Sequence, residues 1–254
     1  MKVKFNVNRE LKIGAAILVV MVFIAFTERK QDDVAIRDIS VKIENKASNH
    51  FLDETDVLAI MNLNAQNLRG VPISDVNLKA IEKKIMKDPF IKDAELYTDI
   101  KGNLVAQVEL RRPIARIVRN DGPDGYIAED GTLMPVSDKY TARVLLISGP
   151  YVKTILNHTN ATQFKEGEQL LNLIKTIRND EFWGAQIAQM DINAKGKITM
   201  FTQVGDERIE FGKPDNEEVK LKKLKIFYKD ILPKTGWNKY ERVNLEYEGQ
   251  IVAE

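Results

Sequence analysis

Apolar residues are distributed along this chain in three ways. One unbroken apolar run, Ile13 to Phe26, lies near the amino terminus. Beyond it, apolar positions either alternate with polar ones or recur every three to four residues, the periods of half-buried strands and amphipathic helices. The run alone makes about 21 Å of helix, short of a hydrocarbon core of about 30 Å. Leu11 and Thr27 can lengthen it, and Lys12 can lay its apolar stem along the core while its ammonium stays wet. The exit reads Ala25-Phe26-Thr27-Glu28-Arg29-Lys30, without the small-residue pattern that signal cleavage requires. A retained transmembrane helix over 13–27 is therefore expected, with a cleaved signal and a buried core helix as the alternatives. Lys2, Lys4, Arg9 and Lys12, opposed by Glu10, place the short segment 1–12 in the cytoplasm, although Arg29, Lys30 and Arg37 follow the run.

After a polar linker over 28–35, the pattern becomes that of a small mixed module over 36–112. Ile39, Val41 and Ile43 alternate with Ser40, Lys42 and Glu44, which predicts a strand. Asp53-Glu54-Thr55-Asp56 is expected to cap a helix carrying Val57, Leu58, Ile60 and Met61. Ser74 or Asp75 is expected to cap a second, with Leu78, Ile81 and Ile85 on one face. Asp88-Pro89 stops it. Two strands, Phe90 to Tyr97 and Leu104 to Leu110, turn at Lys101-Gly102. The order is β-α-α-β-β. Arg111-Arg112-Pro113 marks a boundary, read as a solvated hinge in preference to a partner contact.

Residues 113–254 read as a β-rich domain with two packed helices, so the fold class is α+β. Strands are expected over Ala115 to Val118, in a hairpin around Asp130-Gly131, and over Val144 to Pro150. Lys153 to Lys165 is polar and reads as a surface loop. Gln169 to Arg178 has helical periodicity, and strands follow over Ile187 to Ile192, Ile198 to Val204 and Arg208 to Phe211. Asp215 is expected to cap a helix with a stripe of Leu221, Leu224, Tyr228 and Ile231. The last strand is expected to run from Arg242 to Tyr247, with Val243, Leu245 and Tyr247 on one face and Asn244 and Glu246 on the other. An exposed terminal strand offers backbone groups that another chain can join by strand addition. The competing reading is a solvated edge.

Composition narrows the chemistry. With 30% charged residues and a net charge of +1, the chain lacks the basic stripe of a nucleic-acid surface. The absence of cysteine removes disulfides, thiolate catalysis and thiolate zinc sites. His50 and His158 are the only histidines, too few for a three-histidine metal centre. No phosphate-binding loop, dinucleotide fingerprint, nucleophile elbow or S-x-x-K pair occurs. No catalytic, cofactor or metal site is expected, and no small-molecule substrate.

The helix end KKIMKDPFIKDAEL, the hairpin after it and VELRRPIARI resemble a POTRA domain placed directly before the second domain of the bacterial cell-division family FtsQ/DivIB. YIAEDGTLMPV followed by VLLISGP is similar to the opening of that family's β-domain. The resemblance implies a non-catalytic, single-pass scaffold of the inner membrane. It would carry its bulk in the periplasm and act at the septum with the partners FtsB and FtsL and other division proteins. The terminal region RVNLEY followed by EGQIV resembles the stretch that docks FtsB, which implies Arg242, Val243, Asn244, Leu245, Glu246, Tyr247, Gly249 and Ile251 as partner-binding residues. One alternative is a POTRA-containing module of outer-membrane biogenesis or secretion that binds extended clients. The other, a hydrolase, lacks a credible nucleophile.

Overall fold

The computed structural model describes residues 14–22, 35–46, 49–61, 68–237 and 239–254. Residues 14–22 are helical. Of the expected anchor and linker, residue 13 and residues 23–34 lie outside the described residues. Among those described, no helix is long and apolar enough to cross a membrane. The chain divides into two compact units, one built from residues up to Glu44 with Asp53–Asp88 and Asp93–Glu109, the other from Asn45–Leu52, Pro89–Lys92 and Leu110–Glu254.

In the first unit, β1 (Ile39–Ile43), α1 (Glu54–Met61), α2 (Leu78–Ile85), β2 (Ile91–Thr98) and β3 (Leu104–Leu110) follow the expected order. The sheet order is β1-β3-β2, and β1 runs parallel to β3 from Ile39 opposite Leu104 to Ile43 opposite Val108. Alternation in β3 is complete: Leu104, Ala106 and Val108 are buried, Val105 and Gln107 half-buried. Asp53 begins α1 as expected, its Oδ1 accepting from the N–H of Thr55 at 2.9 Å and of Asp56 at 3.0 Å, while Asp56 returns a bond to the Asp53 N–H. The cap of α2 is a correction. Ile73–Asp75 forms a 3-10 turn behind Pro72, so the helix starts later and Asn77 caps it, accepting from the Ala80 N–H at 3.0 Å.

The second unit holds β4 (Pro113–Ile117), β5 (Gly125–Ala128), β6 (Leu133–Pro135), β7 (Leu145–Ser148), β8 (Ile187–Ile192), β9 (Ile198–Thr202), β10 (Arg208–Gly212), β11 (Arg242–Asn244) and β12 (Val252–Ala253). They form one sheet in the order β12-β11-β10-β9-β8-β7-β4-β5-β6. Its helices are α3 (Val152–Leu156), α4 (Lys165–Asn179), α5 (Glu181–Gln186), α6 (Glu217–Ile226) and α7 (Leu232–Thr235). Leu170, Leu171, Leu173, Ile174 and Ile177 of α4 and Leu221 and Leu224 of α6 pack in one core with Ile147, Met190, Met200, Ile209 and Phe211 of the sheet. The periodic faces of two helices thus bury the apolar face of the strands. A second cluster joins Phe51, Tyr126, Met134 and Ala142, with Phe51 stacked on Phe90 at 4.9 Å.

Three expectations change here. Arg111 is not a solvated hinge residue: its side chain is 16% exposed, pairs with Asp130 at 3.0 Å and donates to the carbonyls of Pro89 and Ile91, because a guanidinium drawn from water needs several acceptors. Asp215 does not cap α6. It faces Lys220 at 2.6 Å, a lysine buried over the Phe211 ring, and Asn216 in the left-handed region (φ 49°) precedes the helix instead. The polar stretch after Lys153 is not all loop, since α3 buries Val152 and Ile155. The stripe on α6 holds, but residues Phe227–Ile231 widen into a π turn, which turns both Phe227 and Tyr228 inward. Glu207 accepts the Tyr228 hydroxyl in a short hydrogen bond, and burial together with that carboxylate holds the phenol well above its usual range.

Candidate functional site

The terminal segment is where the sheet ends, and its geometry differs from a single exposed strand. β11 pairs with β10 in parallel, Arg208 opposite Arg242 and Glu210 opposite Asn244. It stops there because the Asn244 Oδ1 takes the N–H of Glu246 at 2.9 Å, bending the chain out of the ladder. The chain turns at Gly249, whose φ of 70° suits glycine, and returns as β12, antiparallel to β11 with Val243 opposite Ala253 and Asn244 opposite Val252. β11 is therefore an interior strand and β12 the edge. The expected strand over Arg242 to Tyr247 is shorter by half and is covered.

The implied binding residues separate accordingly. Val243 is 0% and Leu245 1% exposed, so both belong to the core. Tyr247, expected on their face, is 51% exposed because the bend rotates it outward. Glu246 and Gly249 are exposed, and Arg242, Asn244 and Ile251 half-buried. Ile251 and Ala253 lean on the core. The sequence period could not register the bend, whose signal is the side chain of Asn244.

β12 has a defined outward set of backbone groups. The Arg242 N–H donates to the Glu254 main-chain oxygen at 3.1 Å and the Glu254 N–H to the Arg242 carbonyl at 3.0 Å. In an antiparallel ladder such exchanging pairs recur every second residue, so Glu254 and Val252 face β11 while the N–H and C=O of Ile251 and Ala253 face away. The opposite edge is closed. Leu133 of β6 donates to the Thr159 carbonyl at 3.0 Å, Thr132 bridges Asn160, and Pro135 ends the strand.

Polar groups pin the turn. The Lys223 ammonium on α6 donates to the carbonyls of Leu245 at 3.1 Å, Tyr247 at 2.7 Å and Gln250 at 3.3 Å. Burial, with Lys220 nearby, lowers its pKa. Lys197 holds Glu246 at 2.7 Å, and Glu210 receives both Arg242 and Asn244. Gly212 leaves room for this arrangement: a Cβ there would lie 2.6 Å from Cγ of Glu246. Beside the turn a groove of about 540 Å³ is lined by Lys197, Lys213, Val219, Lys223, Glu246 and Tyr247, among others. Among the described residues no group of His, Asp or Glu side chains could hold a metal ion. His50 is exposed, and His158 stacks on Phe164 at 4.3 Å with its Nδ1 2.9 Å from the Thr154 carbonyl. The site is thus a pinned strand edge with an exposed tyrosine, suited to backbone pairing.

Residues 112–254 match a family model described as FtsQ/DivIB, C-terminal related, and residues 35–109 match that of a POTRA-like domain. No curated protein matches the chain.

Proposed function

The chain belongs to the FtsQ/DivIB family of non-catalytic membrane scaffolds of cell division, and from that premise we propose that it binds FtsB- and FtsL-type single-span proteins at the septum by strand addition to β12. In this reading residues 1–12 are cytoplasmic, 13–27 anchor the chain, 28–35 are a linker, and the domains at 36–112 and 113–254 stand outside the inner membrane. The observation that carries it is the outward direction of the backbone groups of Ile251 and Ala253 on β12, the strand that ends the sheet and pairs, among the described residues, with β11 alone. An extended partner segment would pair there, and Tyr247 and the half-buried Ile251 would supply side-chain specificity. Arg242, Asn244 and Glu246 would hold the edge in register, while Val243 and Leu245 would support it from the core.

The alternative, a module that handles extended clients in outer-membrane biogenesis, finds less support. Strand addition to the POTRA-like sheet at β2 would need its outer backbone groups, and Glu82 of α2 already accepts the Leu96 N–H at 2.8 Å. Affinity capture of the full-length anchored protein against a version ending at Gln250 tests the proposal. Small single-span coiled-coil proteins recovered with the intact form alone are the expected result. Equal recovery by both forms would overturn it.

A further inference from the structure

β12 is short, and among the described residues the end of it nearest the turn has no backbone pairing beyond Val252. Its ladder to β11 has two residue pairs, Val243 with Ala253 and Asn244 with Val252, extended at one end by the reciprocal backbone bonds of Arg242 and Glu254, and a strand of that length has little stability of its own. The link between them, residues 245–251, is not a tight hairpin, so turn geometry does not fix the register either. Three of its carbonyls, those of Leu245, Tyr247 and Gln250, converge on one point, an arrangement that repels unless a cation occupies the centre. The Lys223 ammonium occupies it, and its three protons match three acceptors. Its position comes from α6, whose Leu221 and Leu224 are in the core, so the ammonium is carried by a rigid element. The carbonyl of Leu245 belongs to a residue only 1% exposed, where water is a poor substitute. The second clamp, Lys197 with Glu246, joins side chains 45% and 34% exposed and is correspondingly weak.

We infer that Lys223 is the positioning residue of the docking edge: it gathers the 245–250 turn onto α6 and so presents β12 in register for a partner strand. The inference rests on the docking reading, and only its second half depends on it. A partner strand adds to β12 alone, so any loosening of β12 from β11 is subtracted from the affinity.

The test compares wild type with Lys223→Met and Lys223→Arg in the full-length protein, measuring amide hydrogen exchange, thermal unfolding and affinity for the extracytoplasmic segment of an FtsB-type protein. Methionine keeps the aliphatic stem and removes the ammonium. Lys223→Met is expected to unfold within a few degrees of wild type, to lose exchange protection at Arg242, Asn244, Val252 and Glu254 while β8 and β9 keep theirs, and to bind about tenfold more weakly or worse. Lys223→Arg is expected to recover part of both losses. Unchanged protection at those four amides in Lys223→Met would overturn the inference. So would a uniform loss over the whole sheet, which a merely structural lysine would give. If protection is lost at the edge while wild type itself fails to bind the segment, the positioning role stands and the docking reading fails.

Discussion

Arg242 and Glu254 are joined twice, by a reciprocal backbone pair at 3.1 and 3.0 Å and by an ion pair of 3.0 Å between Nη2 and Oε1. Their side chains are 41% and 62% exposed, so the ion pair adds under about 1 kcal/mol and the backbone pair carries the attachment. Arg242→Ala should therefore leave the unfolding free energy within about 1 kcal/mol of wild type, as urea denaturation would measure.

Leu245 and Tyr247, two residues apart, should respond in opposite ways. Leu245→Ala empties a core position and is expected to cost about 2–5 kcal/mol in denaturant unfolding. Tyr247→Ala should stay within about 0.5 kcal/mol of wild type and reduce partner affinity. Stability and binding measured on the same two variants separate the supporting residue from the contacting one.

Asp180 governs a measurable acid limb. Its carboxylate pairs with Lys225 at 2.8 Å and accepts the N–H groups of Phe182 and Trp183, and these partners, Lys225 foremost, hold its pKa below the usual carboxylate value. A pKa depressed in the folded state gives stability that is complete above the unfolded value of about 3.9 and is lost as pH falls through the folded value. Asp180→Asn keeps the cap oxygen and should cost less than about 1 kcal/mol at neutral pH. Its stability should depend less on pH than wild type below about pH 4.

Gly149, which ends β7, has φ of 99°, and a Cβ there would lie 2.4 Å from the Ile192 carbonyl oxygen. Both the left-handed backbone and the neighbouring strand oppose a side chain. Gly149→Ala should lower stability by at least about 1–2 kcal/mol in thermal or urea unfolding.

What the sequence made legible was what periodicity encodes. The β-α-α-β-β order, the faces of α4 and α6 and the strands from Ile187 to Gly212 all follow from spacings of two or of three and four residues. What it concealed depended on single side chains acting out of register. Asn244 bends the terminal strand, Asn77 displaces the cap of α2, and Lys220 draws Asp215 away from the start of α6. Each is a polar residue whose local partner is set by the fold, so composition and spacing leave the choice open. The two short helices α3 and α5 lack the length for a readable period. The site was legible as a location near the carboxyl end and illegible as a geometry: the edge proves to be β12, with Lys223, some twenty residues earlier, pinning its turn.

Amide exchange of Ile251 and Ala253 on addition of the FtsB-type segment decides whether a partner strand docks on β12. Both amides point away from β11, so a strand added to the edge should protect them while the Leu133 amide on β6 stays as it was. Protection arising elsewhere, with Ile251 and Ala253 unchanged, would contradict docking by strand addition at β12.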